Sequence, residues 1–463
     1  MDERPVKLAS PFKLQTDFPL VQAAACVVAT LREDGHDAFF AGGFVRDRLI
    51  GRLIHDVDIA TSAHPDRIQK LFVKSHSFGK SFGVIQVEIN AFTFEVATFR
   101  SDMQYKDGRH PESVTFTSAP EDAKRRDFTV NGLFYDPEKH VVIDYVSGLK
   151  DIEKKQIRAI GNPNERFGED HLRILRAVRF SSVLGFSIEE DTKQAIVSNA
   201  SKLRSVSSER VRIELLRMFM EAPDPATVLD ILRDTNILEI ILPEVQRLIG
   251  VEQPPQFHPE GDVYTHTRLM LTLMKERSSE LIWAILLHDI AKPDTFRVGT
   301  DKSGNQRIQF RGHAEQGATM AETIMRRFRC SNEEIEAVHV AVKNHMKFIS
   351  VPEMRKATLR RWVGSKHFPL ELELHRIDCL ASHGKLDRYE FVTAFQQNLN
   401  EEPVLPPALL NGRDLISKGY KPGPKLGKIL KLIYDAQLEG QFSSQSGAFD
   451  WLDNFLTQNE TNM

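Results

Sequence analysis

Gly42-Gly43-Phe44-Val45-Arg46-Asp47, followed by Asp56-Val57-Asp58-Ile59-Ala60, decides how the first part of this chain folds. The apolar run Ala38 to Ala41 before it reads as a strand, and Phe44 to Ile50 as the first turns of a helix, so Gly42 and Gly43 sit at a strand-to-helix junction. Free backbone N–H groups and the positive end of the helix dipole favour an anion there, and the missing Cβ atoms let a triphosphate come close. Arg46 adds a forked charged contact. The alternation from Asp56 to Ala60 predicts a strand with both carboxylates on one face and Val57 and Ile59 on the other. Cα atoms two apart on a strand are separated by roughly 6.6 Å, and their side chains converge on one or two cations spaced about 3.5–4 Å. Without a cation the pair repels by a few kcal/mol at an effective dielectric of about 20. An isolated D-x-D is usually a solvated loop pair, and the glycine junction in front of this one reverses that reading.

Outward from this stretch, residues 18 to 34 read as an amphipathic helix and 38 to about 145 as strand-rich. Val84 to Ile89 and Phe92 to Phe99 alternate well, with Asn90-Ala91 as the turn between antiparallel strands. On the second of these, Thr93, Glu95 and Ala97 share one face, which makes Glu95 the candidate third carboxylate. The polar stretch Arg100 to Pro111 reads as a loop beside the site. From about 148 onward the pattern is almost wholly helical, punctuated by Pro and Gly near 161–163, 222–225, 254–261 and 403–412. The fold class is α+β: a mixed-sheet head with helices, then an all-α neck and an all-α body.

With 463 residues the chain exceeds a single core, and its net charge of −3 confines any nucleic-acid surface to local patches. Cys26, Cys330 and Cys379 lack zinc-type spacing and suit a reducing cytosol. Met1 to Leu14 is charged and proline-interrupted, unlike a cleavable signal, and the apolar runs Val21 to Leu31 and Leu281 to Leu287 are too short to cross a bilayer. A cytoplasmic protein without a membrane partner is expected.

Two further stretches carry chemistry in the first half. Arg125-Arg126-Asp127-Phe128-Thr129-Val130-Asn131 offers guanidinium groups, a carboxylate and an amide suited to a ribose and its phosphates, or equally to a solvated helix cap. Glu169 to Phe180 reads as one helix with Arg173, Arg176 and Arg179 at every third position. There Asp170 and Arg173 present an acceptor and a donor fork to a base edge, unless Arg173 is spent on a surface ion pair with Glu169.

In this order and spacing, G-G-F-V-R-D, D-V-D, R-R-D-F-T-V-N and E-D-x-x-R resemble class II tRNA nucleotidyltransferases, the CCA-adding enzymes and their bacterial poly(A) polymerase relatives, over about residues 35 to 220. The resemblance implies a polymerase-β-like head in which Asp56 and Asp58 bind two Mg²⁺ ions. It implies that Gly42, Gly43 and Arg46 meet the triphosphate and that Arg126 and Asp127 read the ribose. Asn131, Asp170, Arg173, Arg176 and Arg179 complete the nucleotide set, Asp170 and Arg173 acting as an amino-acid template for cytosine or adenine. The implied reaction is attack of a tRNA 3′-hydroxyl on the α-phosphate of CTP or ATP. Lys80-Ser81-Phe82-Gly83-Val84 stands where poly(A) polymerases carry a basic R-R-F segment, and Asp107 to Pro111 resembles the loop needed for the terminal A. Full C-C-A addition leads; A addition alone or poly(A) synthesis stays open.

A second series runs through Tyr264-Thr265-His266, His288-Asp289, His313, His345 and Asp378. Imidazole plus carboxylate suits Mn, Ni, Co or Zn, whereas any one such His alone is commonly a satisfied core residue. The series resembles an HD-type phosphohydrolase, which implies His266, His288, Asp289 and Asp378 as the basic ligand set and His313 and His345 as its two-metal extension. The implied activity is hydrolysis of phosphomonoesters or cyclic phosphodiesters, trimming damaged tRNA ends. A further reading makes this the working site and the head an RNA-binding module. Lys202, Arg204, Arg210, Arg212 and Arg217, and later Lys418, Lys421, Lys425, Lys428 and Lys431, form patches suited to an RNA backbone, with the tail resembling a region that docks the tRNA acceptor arm. The expected domains are a head at 18–148, a neck at 149–245, the HD body at 246–400 and a helical tail at 401–463.

Overall fold

The structure, a computed structural model, describes residues 6–9, 18–77, 83–102, 114–300, 304, 306–399 and 403–459. The loop expected between Arg100 and Pro111 lies mostly outside them, as do Lys80 to Phe82. The chain divides into two compact units, Met1–Pro243 and Glu244–Met463. Among the described residues no helix is long and apolar enough to cross a membrane.

The described strands of the first unit are β1 (Val6–Ala9), β2 (Ala38–Ala41), β3 (Asp58–Thr61), β4 (Ser75–His76), β5 (Val84–Ile89), β6 (Phe92–Thr98), β7 (Arg100–Asp102), β8 (Val114–Phe116), β9 (Leu133–Asp136), β10 (Val141–Asp144), β11 (Gln156–Ile157) and β12 (Ser187–Ile188), the last two forming a short parallel pair. Eight of them form one mixed sheet in the order β1-β10-β9-β2-β3-β6-β5-β4, while β7 and β8 pair separately. The period-two pattern sorts residues onto its faces. Phe40, Ile59, Phe94, Val96 and Val142 pack on one side with Val27, Val28 and Leu31 of α1 (Pro19–Glu33). Ala41, Ala60, Phe134 and Ile143 pack on the other with Ala119 and Ala123, which belong to a helix over Ala119–Arg125. β5 and β6 pair with Ile89 opposite Phe92, so Asn90 and Ala91 form a two-residue turn, both left-handed at φ 50° and 66°. β3 and β6 run parallel with Ala60 opposite Ala97, which brings Asp58 to the level of Glu95 on the second face.

The chain turns from β2 into α2 (Gly43–Leu49) through Gly42 at φ 65°. Four helices follow in the order α3 (Pro65–Leu71), α4 (Ala119–Arg125), α5 (Gly148–Glu153) and α6 (Pro163–Glu169), and then α7 (Leu172–Leu184), α8 (Glu190–Asn199) and α9 (Ser208–Glu221). The single helix expected from Glu169 to Phe180 is in fact two. Asp170 leaves the helix at φ −135°, ψ 106°, and its carboxylate accepts from the Leu172 N–H at 3.0 Å, satisfying an open donor at the start of α7.

The second unit is helical around Ser279–Leu287, in which every residue from Leu281 to Leu287 is buried. Side-chain caps fix the helix starts: Asp262 accepts from Thr265 N, Ser278 from Leu281 N, and Ser331 forms a capping box with Glu334. One hairpin, Arg297–Thr300 with Gln306–Gln309, interrupts the helical run. Toward the C-terminus, helices Gly412–Ser417, Pro424–Leu438 and Gln445–Asn459 share a core of Leu415, Leu426, Ile433, Ala448 and Leu452.

Candidate active sites

In the first unit Gly42 stands against the acids. A Cβ on Gly42 would meet Arg126 Nη1 at 3.0 Å and Asp58 Oδ2 at 3.8 Å, so the turn needs glycine for its positive φ and for this approach. The strand begins at Asp58, and Asp56 lies on the segment leading into it. Asp58 opens onto solvent, yet the protein crowded around it, together with Asp56 and Glu95, pushes its carboxyl up to about 6 against the pull of Arg126. Asp56 and Glu95 thus add their charge at Asp58 beside the glycine turn, but among the described residues the three carboxylates are not drawn within ligand distance of one another as the groups of the second unit are.

A relay of hydrogen bonds runs behind the turn. Arg46 donates to both Asp47 oxygens at 2.9 Å and to Asn131 Oδ1 at 2.6 Å. Asn131 Nδ2 donates to Asp127 Oδ1 at 3.1 Å, and Arg176 donates to Asp127 Oδ2 at 2.8 Å. Asp127 is buried, which alone would raise its carboxyl; Arg176, Asn131 and the Phe128 N–H outweigh this and hold it at about 2. Arg126 is anchored by Asp122 and donates to the Asn131 carbonyl at 3.2 Å. Arg46 and Arg176 each lie 5.2 Å from the Phe180 ring centroid. The fork of Arg46 is therefore engaged within the protein, where it braces the turn.

Asp170 and Arg173 are close in the chain but differently engaged. Asp170 caps α7 and lies 3.6 Å from Arg210, while Arg173 pairs with Glu169 and donates to the Arg166 carbonyl at 3.2 Å. The ion pair expected as the plain alternative is present. Arg179 shares the Phe180 ring with Arg46 and Arg176, its guanidinium 4.3 Å from the centroid, but its Nε donates to Glu214 of α9 at 2.7 Å, a buried tie between helices.

The second unit gathers all six of its predicted residues. His266 Nε2 is 3.1 Å from Asp378 Oδ1, His288 Nε2 is 3.1 Å from Asp289 Oδ2, and His313 Nε2 is 3.5 Å from Asp289 Oδ1. His313 and His345 face one another through their Nε2 atoms at 3.0 Å. The other ring nitrogens are fixed from behind: His288, His313 and His345 turn Nδ1 to the carbonyls of Ile285, Phe310 and Val342 at 2.9, 2.7 and 2.6 Å. His266, inside a helix whose carbonyls are already used, turns Nδ1 to Glu260 Oε1 at 2.6 Å. Each ring is thereby held with Nε2 toward a shared centre, the arrangement metal-binding histidines adopt. His266 Nε2 and His288 Nε2 are buried and, although 3.1 Å from the Asp378 and Asp289 carboxylates, are not aligned to hydrogen-bond with them, which fits a cation bound by ring and carboxylate together. Burial holds His345 down to about 3 and His313 below its usual value, so both rings are neutral with lone pairs to offer. Burial opposes charge on His266 as well, but Asp378 and Glu260 raise it to about 9. Lys292, one helical turn beyond Asp289, reaches Asp289 Oδ2 and Gln253 Oε1, each at 2.6 Å. Glu260, Lys292 and Gln253 escaped the sequence reading. The i,i+3 spacing of Lys292 was a usable signal, whereas Glu260 and Gln253 reach the site through loop folding alone.

Family models match three parts of the chain: "Poly A polymerase head domain" at residues 38–158, "Probable RNA and SrmB- binding site of polymerase A" at 185–249 and "HD domain" at 262–381. A CCA-adding enzyme of Levilactobacillus brevis is 33% identical over 411 residues, covering 88% of this chain and 91% of the relative. One of Lactobacillus johnsonii is 41% identical over 435 residues, covering 92% and 95%. The crystal structure of the Bacillus stearothermophilus CCA-adding enzyme in complex with CTP superposes with a TM-score of 0.72 at 27% identity, covering 96% of this chain and all of that one. Likeness on this scale, over nearly the full length of both partners, makes the chain a member of the CCA-adding enzyme family.

Proposed function

We propose that the first unit adds C and A to tRNA 3′ ends from CTP and ATP, acting in the cytoplasm, and that the second unit hydrolyses phosphate esters at such ends. The observation that carries the first activity is the Gly42 turn, packed so that an added Cβ would meet Asp58 Oδ2 at 3.8 Å, with the charges of Asp56 and Glu95 acting on the same carboxyl. Asp56, Asp58 and Glu95 would hold Mg²⁺, which supplies charge neutralisation for the attacking and leaving oxygens. The Gly42 N–H is taken by the Leu133 carbonyl at 3.1 Å, so the N–H groups left for the triphosphate are those of the first turn of α2, with Arg126 beneath the glycine. The Asp127, Asn131 and Arg46 relay keeps the ribose-side groups in register with that turn. The tRNA 3′-oxygen forms a bond to the α-phosphorus, the bond to the β-phosphate oxygen breaks, and pyrophosphate leaves. The exposed lysines at 418, 421, 425, 428 and 431 suit the acceptor-arm backbone.

In the second unit His266, His288, Asp289 and Asp378, with His313 and His345, would hold one or two transition-metal ions, whose role is to activate water. Water oxygen bonds to phosphorus, the ester bond breaks, and the alcohol departs with a proton. Incubation with tRNA ending before the tail, after C and after CC, with CTP or ATP alone, tests the first activity. Stepwise C, C and A incorporation is expected, and A incorporation on all ends would overturn it. Phosphatase and 2′,3′-cyclic phosphodiesterase assays with added Ni²⁺ or Mn²⁺ test the second; no turnover, with unchanged bound metal in His288→Ala, would overturn it.

A further inference from the structure

The cavity above the second centre is far larger than a phosphate group. It encloses about 890 Å³, enough for a whole nucleotide, and its lining is graded. Asp289, His313, His345 and Asp378 form the floor, and Lys292 and Phe310 the inner wall, with Lys292 Nζ 5.2 Å from the Phe310 ring centroid. At the mouth the surface becomes apolar: Phe257 is 42% exposed, Met346 43% and Ile349 64%. The hairpin Arg297–Thr300 and Gln306–Gln309 brings Arg307 over this mouth, its guanidinium 5.3 Å from the Phe257 ring centroid. Exposed Arg311 and Lys343 line the same opening, against one rim carboxylate, Glu315. A hydrolase for small phosphate esters needs only the floor. An exposed aromatic face under a planar cation, continuous with a cationic rim, matches the base and backbone of a nucleic-acid end.

We propose that this cavity binds a nucleotide, its phosphate on the His and Asp floor and its base stacked on Phe257, with Arg307 closing over the outer face of the base. The proposal rests on the hydrolase reading for its phosphate end and deepens it by naming the ligand. A base replaces the guanidinium on the Phe257 face, and Arg307, exposed and carried on the hairpin, restacks on it. Phe257 and Arg307 thereby select substrates that carry a base without touching the reacting bond.

The test compares full-length wild type with Phe257→Ala, Arg307→Ala and Phe257→Tyr. Three ligands are used with Mn²⁺: p-nitrophenyl phosphate, a 2-aminopurine nucleoside monophosphate, and an RNA oligonucleotide ending in that phosphorylated nucleotide. The expected result is a fall of about ten-fold or more in kcat/KM for the nucleotide ligands in both Ala variants. Hydrolysis of p-nitrophenyl phosphate stays unchanged, and Phe257→Tyr keeps wild-type behaviour. Quenching of 2-aminopurine fluorescence on binding is lost in Phe257→Ala; the head is identical in all variants, so only the difference is read. A larger effect on the oligonucleotide assigns the site to an RNA end, and an equal effect to free nucleotides. If wild type hydrolyses nothing but still quenches in a Phe257-dependent way, the hydrolase reading fails and the base site stands. Unchanged quenching and unchanged nucleotide kcat/KM in Phe257→Ala, or an equal fall for p-nitrophenyl phosphate, overturns the proposal.

Discussion

Asp58→Asn separates folding from chemistry at the first site. In the folded chain the Asp58 carboxyl is pushed from 3.8 up to about 6 by the surrounding protein and by Asp56 and Glu95. A raised carboxyl means that the folded state binds the proton more tightly than the unfolded chain, so stability falls as pH rises between these two values. Two pH units correspond to about 3 kcal/mol as an upper limit, and because Asp58 opens onto solvent, screening reduces this to about 1 kcal/mol. Without divalent cations at pH 7.5, Asp58→Asn is therefore expected to be more stable than wild type by about that amount, the gain shrinking as pH falls toward 4. Urea denaturation in EDTA at several pH values measures this. In parallel, Mg²⁺ stabilises wild type but much less the variant, and nucleotide incorporation drops to background. A variant less stable than wild type at pH 7.5, or a gain independent of pH, would show that the three acids do not share one strained site.

Asp127 behaves in the opposite sense. Held at about 2 by Arg176, Asn131 and the Phe128 N–H in spite of its burial, it contributes stability that is present above the usual carboxylate value and is lost as pH falls toward 2. Asp127→Asn should cost about 2 kcal/mol at pH 7 by urea denaturation, the gap closing in acid. Glu260→Gln, made in the Asp58→Asn background to silence the head, should weaken Mn²⁺ binding about 10- to 100-fold by calorimetric titration, because His266 loses the carboxylate that sets its tautomer; unchanged affinity would remove Glu260 from the site. Ala91→Gly relieves a left-handed alanine at φ 66° and should raise stability by about 0.5–1 kcal/mol, read as a higher denaturation midpoint with full activity retained.

The head was legible because its signals are local. The run Ala38 to Ala41, the paired glycines and the alternation through Phe92 to Thr98 each fix an element within a few residues, and the turn at Asn90-Ala91 follows from the patterns on either side. The break at Asp170 was not legible from periodicity, since the apolar spacing continues across it. It depends on a competing side-chain cap that the helical pattern conceals. The role of Arg179 was equally hidden. A regular arginine spacing does not say which guanidinium finds a buried partner, and Glu214 lies on another helix. In the second unit the His and Asp ligands announce themselves by residue type, whereas Glu260 and Gln253 contribute only after the 251–262 loop folds back on the helices. The Arg297–Thr300 hairpin was missed because short, mostly polar strands scarcely perturb a helical background.

The Asn90-Ala91 turn has a consequence for how this chain tolerates insertion and deletion. Since neighbouring strand residues point to opposite sides, the turn acts as a phase setter for everything on β6. A turn change that made β6 slip by one residue in its pairing would carry Phe94 to the cleft side and the candidate carboxylate Glu95 into the apolar interior, although every acid is still encoded. A two-residue change preserves the phase and alters only the length of the loop.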